Sequence, residues 1–378
     1  MNIAFLTSDH LPLDDRIFYH LGLTLVSAGH KVEIISSRSN VVTVQEGITL
    51  NCFDGSSFTR DEKTNKFINI LTTFQPAIII CSEPFTILAA HNYRKISTVK
   101  PTLIYDITEW FPSEKNLENL DFISKLIKIV KLTIVSIYSS SLADSFIFGE
   151  WYKSRPYRLL FPFRKFEYIT YYPDLDFITL REPALIRGRL RLLYSGRISK
   201  KKGFKNFIDV LLKLAKLFPG MIFRIKLIGW YGNKKDEVEC EDYLSGLPSN
   251  ISIERTGRLG FREYLNAIND SDIFTDFREI SLETNLCLPI KLFYFIALGR
   301  PVIHSDLVAV RKYFSSGNFG FLTDPGDTEN IVNIISRYIN DNELYKEHCT
   351  NARIISEEKY NWEKIKMQLV KFISSYEA

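Results

Sequence analysis

Short apolar runs that end in polar residues alternate along this chain with longer segments of helical period. Asn2 to Ser8 reads as a buried strand, Arg16 to Ala28 as an amphipathic helix closed by Gly29, and Lys31 to Ser37 as the next strand, together a βαβ unit. Ala77 to Cys81 and Thr102 to Asp106 repeat the short apolar run. Parallel strands present ligands at their carboxyl ends, so the polar endings SDHLPLDDR, SEP and DITEW mark one rim of a first domain. A second block of strands starts near Arg189: Leu190 to Ser195, Phe223 to Gly229, Ile251 to Glu254, Ile273 to Asp276 and Pro301 to His304, with a helix beginning near Phe204. Between the blocks, Phe161 to Gly188 mixes Pro162, Pro173 and Pro183 with aromatic and charged residues, as a connection would. The last stretch, Asn361 to Tyr376, has the pattern of an amphipathic helix capped by Asn361. The expected division is therefore 1–170, a linker at 171–188, a second domain at 189–360 and a terminal helix at 361–378, in an α/β protein.

Composition narrows the classes. A length of 378 residues suits two or three domains, each with its own core. The formal charge of +4 is small and the basic residues are interspersed with acidic ones, which argues against a dedicated nucleic-acid binder. Cys52, Cys81, Cys240, Cys287 and Cys349 are widely spaced without a CxxC pair, so neither zinc nor redox chemistry is indicated, and reduced cysteines of a cytoplasmic protein are expected. The opening MNIAFLTSDH has no basic region before its apolar run, unlike a signal peptide. No apolar run reaches membrane-spanning length. The GxGxxG dinucleotide fingerprint is missing after the first strand, which removes the main support for a dehydrogenase.

The candidate chemistry lies in LCLPIKLFYFIALGRPVIHSD, Leu286 to Asp306. Pro289 suits the first position of a helix and Gly299 its end. Lys291 sits in the first turn, where the helix dipole disfavours a cation unless an anion is near. Open N–H groups, the dipole and a lysine together make a phosphate or diphosphate site; the alternative is a solvated lysine on a buried helix. A second basic element, GRISKKKG, follows the strand ending at Ser195. Arg197 there can grip a diphosphate with two hydrogen bonds and Lys202 can add a point charge, while Lys200 and Lys201 read as a solvated turn.

At these residues the chain resembles a known family. A strand, then GRxxxxKG, then PxKLFxxxALGxPVIxSD is similar to the carboxyl-terminal domain of retaining glycosyltransferases of GT-B fold that build bacterial polysaccharides and glycolipids, and DxRIFxxxxxLxxAGHxV, Asp14 to Val32, resembles their opening. The resemblance implies two Rossmann-like domains facing across a cleft, with the terminal helix returning to the first. It implies a UDP- or GDP-sugar donor and a glycan or lipid-linked acceptor, with no cofactor and no metal. The donor would meet Gly196, Arg197, Lys202, Gly229, Arg258, Leu259, Glu283, Leu288, Pro289, Ile290, Lys291 and Tyr294.

The departures from the family pattern matter as well. Tyr294 stands where a ribose-binding glutamate is usual, and Leu286 where its paired glutamate would sit, leaving Glu283 or Glu279 to swing in. A tyrosine has one hydroxyl and no carboxylate grip. Thr108 replaces a histidine of DxHE and cannot act as general acid or base; Asp106, Glu109 or the leaving phosphate would have to take the acceptor proton. Asp106, Glu109, Arg197 and Lys202 are thus the catalytic candidates, and a non-catalytic relative that binds a sugar nucleotide, a glycan or a partner enzyme is the alternative. His10 is the nearest substitute for the lost histidine, and Asp15 and Arg16 are expected to pair locally. His304 can touch a ligand or simply satisfy local backbone groups, and Trp110 to Pro112 can line an acceptor cleft or pack. In 122–138, Lys125, Lys128 and Lys131 form an inclined stripe on an apolar helix, which suits peripheral contact with anionic lipid on the inner membrane face or, alternatively, an ordinary core helix with a solvated edge.

Overall fold

The computed structural model of the chain describes residues 1–118 and 120–377. It divides into two compact units, Met1–Tyr171 with Glu363–Ala378, and Tyr172–Trp362. Among the described residues fourteen strands form two sheets.

The first unit contains β1 (Asn2–Thr7), β2 (Lys31–Ser36), β3 (Val42–Gln45), β4 (Ile48–Asn51), β5 (Ile78–Cys81), β6 (Thr102–Ile107), β7 (Ser145–Phe148) and β8 (Lys165–Tyr168). Their order is β3-β4-β2-β1-β5-β6-β7-β8, parallel except for the β3–β4 hairpin. The chain runs outward from β1 in one direction, returns, and continues from β5 in the other. That reversal is the topological switch point, and it lies between the carboxyl ends of β1 and β5.

The second unit contains β9 (Arg189–Ile198), β10 (Ile222–Tyr231), β11 (Ile251–Thr256), β12 (Ile273–Asp276), β13 (Val302–Ser305) and β14 (Gly320–Thr323), all parallel, in the order β11-β10-β9-β12-β13-β14. Its switch point lies between β9 and β12. The helix Phe204–Leu217 covers this sheet with Phe204, Phe207, Leu211 and Leu214, all nearly solvent-free and spaced on one face. Each such side chain contributes about 1.5–3 kcal/mol by its burial.

Several boundaries differ from those the sequence suggests. The segment after Tyr171 is no free linker: Tyr172 packs on Phe293 and Tyr360, Phe177 on Phe261, and Asn269 and Arg300 donate to the carbonyls of Thr179 and Arg181. These contacts make it part of the second unit. Asn361 donates to the carbonyls of Ser356 and Glu357 and so finishes the preceding helix, Asn342–Glu358; the terminal helix is the shorter Lys366–Ser374. The first helical segment starts one residue earlier than expected, and its Asp15–Gly22 part is π-helical, capped by the Asp14 carboxylate on the N–H groups of Arg16 and Ile17.

Candidate functional site

In the second unit, β9 and β12 pair only at Ile273↔Leu192 and Phe274↔Leu193 and then diverge. Side chains take over the acceptors that the ladder leaves open. Thr275 Oγ1 donates to the carbonyl of Leu193 at 3.0 Å, and Lys291 Nζ donates to the carbonyl of Ser195. Beyond them the strands open into a recess of about 120 Å³ lined by Tyr194, Ser195, Gly196, Arg197, Lys202, Thr275, Asp276, Arg278 and Lys291.

Four cations and one carboxylate face this space among the described lining residues. Arg278 forms a two-pronged pair with Asp276, with Nε at 2.9 Å from Oδ1, which holds that carboxyl well below the usual range despite its burial. Arg197 is oriented by Asp236, Nη2 to Oδ2 2.9 Å, and Asp236 is itself fixed by Asn233 at the start of a helix. The Tyr194 hydroxyl lies 3.1 Å from the Arg197 carbonyl and 3.0 Å from that of Lys202, so it pins both ends of the basic loop. Burial pushes the Lys291 ammonium down to about 8, with Asp276 opposing and Arg278 and Lys202 adding to the shift. A lysine so placed gains from an added anion, since three neighbouring cations then share a counter-charge.

Glycine makes this approach feasible. Gly196 has φ +126°, and a Cβ on it would collide with Lys291 Nζ. Its strand neighbour Gly229 backs the same spot, where a Cβ would strike the Gly196 carbonyl. The part of Gly229 is thus to let two backbones close up, not to line the recess.

Of the residues expected to hold a donor, the structure brings Gly196, Arg197, Lys202 and Lys291 together. The others do not line the recess. Tyr294 is 3% exposed, with its ring packed edge-on against Phe261 at 5.8 Å, so it is a core residue where the family's ribose-binding group was expected. Leu288 and Pro289 are buried, Ile290 is half-buried, and Glu283 sits half-buried in the single turn Leu282–Asn285. Arg258, beside Leu259 in the loop after β11, is exposed and stacks over Trp230, 3.9 Å from the ring centre. The helix expected from Pro289 spans only Lys291–Ala297. The N–H groups of Leu292 and Phe293 already donate to the carbonyls of Pro289 and Ile290, which leaves fewer amides at the helix start for a phosphate than the sequence suggests. His304 is buried, donates its Nδ1–H to the Ser305 carbonyl at 2.7 Å, and stays behind the recess with Nε2 3.8 Å from Asp276; burial lowers its pKa. Sequence reading missed Asp276 and Arg278, although the polar end of IFTD at the rim of β12 marks the place.

The switch point of the first unit is built differently. Glu83, just past β5, accepts from Thr7 Oγ1 at 2.6 Å and from the Ser8 N–H at 3.0 Å. His10 lies between Asp14, Nδ1 to Oδ2 2.8 Å, and Glu83 at 3.9 Å. Burial opposes the imidazolium charge, but Asp14 with Glu83 and Glu109 more than offsets it and pushes His10 up to about 10. A histidine so held is a cation at neutral pH and not a general base.

Asp106 is not open to an acceptor either. It is 1% exposed and bound at both oxygens by Arg16, Nε and Nη2 each at 2.7 Å, while Arg16 Nη1 donates to the Ile169 carbonyl and its guanidinium covers Tyr171. Locally the Arg16 N–H donates to Asp15 Oδ1 at 2.9 Å, as the sequence suggests, while its guanidinium goes to Asp106, ninety positions away. Glu109, two residues past the end of the same strand, is exposed. Thr108 contributes its carbonyl, which accepts from Tyr171 at 3.0 Å and from Lys153 at 2.5 Å. Among the described residues no group of three His, Cys, Asp or Glu side chains is placed to hold a metal ion.

Comparison with known proteins finds similarity to glycosyltransferases. Residues 189–341 match the family model described as glycosyl transferases group 1. An uncharacterized glycosyltransferase of Methanocaldococcus jannaschii is 26% identical over 178 residues, which is 47% of this chain and 43% of that protein. Among solved structures, the fold is similar to sucrose-phosphate synthase from Thermosynechococcus elongatus, with a TM-score of 0.75 and 14% identity over 99% of this chain and 98% of that one. It is also similar to Anabaena HepE in complex with UDP-glucose, with a TM-score of 0.69 and 15% identity over 99% and 100% of the two chains. The catalytic domain of starch synthase IV from Arabidopsis thaliana, bound to ADP and acarbose, superposes with a TM-score of 0.68 at 12% identity over 99% of each chain.

Proposed function

We propose that this chain, a glycosyltransferase of GT-B fold whose residues 189–341 belong to the glycosyl transferases group 1, moves a sugar from a nucleoside-diphosphate donor to a glycan or lipid-linked acceptor. The observation that carries the reading is the cationic recess at the β9/β12 switch point, where Arg197, Lys202, Arg278 and Lys291 converge. Its volume of about 120 Å³ suits phosphate groups and not a whole nucleotide, so sugar and base would extend from it. A nearest match of chemistry is a UDP- or GDP-sugar, and Anabaena HepE, with the same fold, binds UDP-glucose.

In the proposed reaction the bond between the anomeric carbon and the diphosphate oxygen breaks while a bond to the acceptor oxygen forms. Negative charge grows on the departing diphosphate, and fixed cations that need no rearrangement stabilise it most in the transition state. With Asp106 engaged by Arg16 and His10 held as a cation, the acceptor proton passes to the leaving phosphate oxygen, or to the exposed Glu109. Departure and attack on the same face give retention, and the cations take the part a metal ion would play elsewhere. The setting proposed is bacterial surface polysaccharide synthesis in the cytoplasm, in keeping with the free cysteines.

The test is calorimetric binding and single-turnover hydrolysis with UDP-, GDP- and ADP-sugars, followed by transfer to lipid-linked acceptors. Saturable binding that is lost in Arg197→Ala, with product formed, supports the proposal. Binding without any turnover points instead to a non-catalytic sugar-nucleotide binder, a reading that the sequestered Asp106 and buried Tyr294 favour. No binding of any nucleotide sugar sinks both.

A further inference from the structure

The helix Phe122–Leu142 in the first unit is built inside out. Its protein-facing positions in the second half are Ser136, Ser139 and Ser140, all buried, while large apolar residues point away from the body. Ile123, Ile127, Val130, Ile134 and Ile137 recur every three or four residues along one exposed stripe, Ile123 at 69% exposure and Ile134 at 61%. An exposed apolar face of this length costs free energy in water unless something covers it. No helix among the described residues is long and apolar enough to cross a membrane, and this one is interrupted by Lys125, Lys128 and Lys131.

We propose that this helix lies in the surface of an anionic lipid bilayer, its isoleucine stripe in the acyl boundary and its lysines at the headgroups. The charge pattern selects that occupant. From Phe122 to Leu142 there are three lysines and no acidic residue, so pairing with a second copy of the helix would bring cation against cation. Anionic headgroups complement the same stripe, and a long helix with an apolar face and a lysine edge is the form that binds in the interface plane. A second contact lies beside it. Arg164 Nη2 donates to the Ser141 carbonyl at 3.2 Å, which ties the end of this helix to the loop where Phe163 is 99% exposed just before Arg164 and Lys165. Leu159, 82% exposed, adds a further apolar group, with Arg158 and Lys165 close in sequence. Helix and loop together give two apolar insertions framed by positive charge.

The inference stands apart from sugar transfer, so its test uses vesicles and no donor. The full chain is floated with phosphatidylcholine vesicles, with and without one third phosphatidylglycerol. Binding confined to the phosphatidylglycerol vesicles, and weakened by salt, is the expected result. Reversing the three lysines in K125E/K128E/K131E is expected to lower partitioning by roughly 100-fold or more, from the usual contribution of each basic residue at an anionic surface. I127S/I134S changes only exposed positions and is expected to abolish flotation while leaving the melting temperature in place. F163S weakens it about tenfold. Equal flotation of wild type and the lysine variant overturns the proposal. So does sedimentation showing a dimer that I127S/I134S dissociates, with no vesicle binding by the wild type.

Discussion

The two sheets of this chain each open at a switch point, between β1 and β5 in the first unit and between β9 and β12 in the second, and they fill the openings with opposite charge. At β1/β5 a histidine is surrounded by Asp14 and Glu83, and the carboxylates are occupied by hydroxyl, N–H and imidazole partners. At β9/β12 four cations face one carboxylate, and burial, with Arg278 and Lys202 adding to it, pushes the Lys291 ammonium down to about 8. The fold places both openings by the same rule, but only the residues give one of them a surplus of positive charge. The first unit satisfies its own charges; the second leaves an excess for a ligand.

The largest expected effect tests that contrast in the first unit. Replacing Arg16 with methionine strands the buried Asp106 carboxylate, and such a loss costs about 3–5 kcal/mol. Urea denaturation should show it, and R16M/D106L should recover most of the loss, because two apolar groups need no counter-charge. If D106N instead keeps full stability and loses transfer alone, Asp106 is a catalytic group and the contrast fails.

In the second unit the matching change is Arg197→Ala. Removal of one fixed cation from the proposed leaving-group site should lower the rate of transfer by roughly 100- to 1000-fold, with little change in stability. Glu83→Gln serves as the control at the other opening. Its effect on nucleotide binding should be less than twofold by titration calorimetry, and an effect equal to that of R197A would place the donor in the wrong unit.

Lys291 gives the pH dependence. Its ammonium loses its proton near pH 8 in the ligand-free protein, so donor affinity should hold below that and fall as pH rises, by roughly fivefold between pH 8 and 9. Folding responds with the opposite sign. The depressed value means that between about 8 and the ordinary lysine value of 10.5 the unfolded chain binds a proton the folded chain has released, so this group's contribution to stability rises with pH across that window. Lys291→Arg, titrated over pH 7 to 9.5, should flatten the affinity profile.

How far the sequence showed this is a matter of range. Arg197, Lys202 and Lys291 were legible because each sits beside a strand end or helix start, and local patterning shows such places. The Arg16–Asp106 and Arg278–Asp276 pairs were not, the first because ninety positions separate its partners, the second because its meaning depends on β12 diverging from β9 after Phe274. Tyr294 was read by its place in a motif, while its environment is set by Phe261 on another helix. Strands β7 and β8 were hidden because SFIF and KFEY are too short and aromatic for a clear period of two.

The smallest effect concerns where the base would lie. Arg258 and Trp230 form an exposed stacked pair at the loop after β11 and the end of β10. An exposed cation–π contact contributes about 0.5–1 kcal/mol, so Arg258→Ala alone should leave stability almost unchanged. If the base stacks in that neighbourhood, R258A should weaken a nucleoside diphosphate by a few-fold and leave inorganic diphosphate unaffected. That difference measures the base and nothing else, since on the proposed reading both ligands would use the same recess. Equal weakening of the two would make Arg258 a further cation of the phosphate site, and the boundary between the phosphate-binding and base-binding parts of the second unit would have to be drawn beyond it.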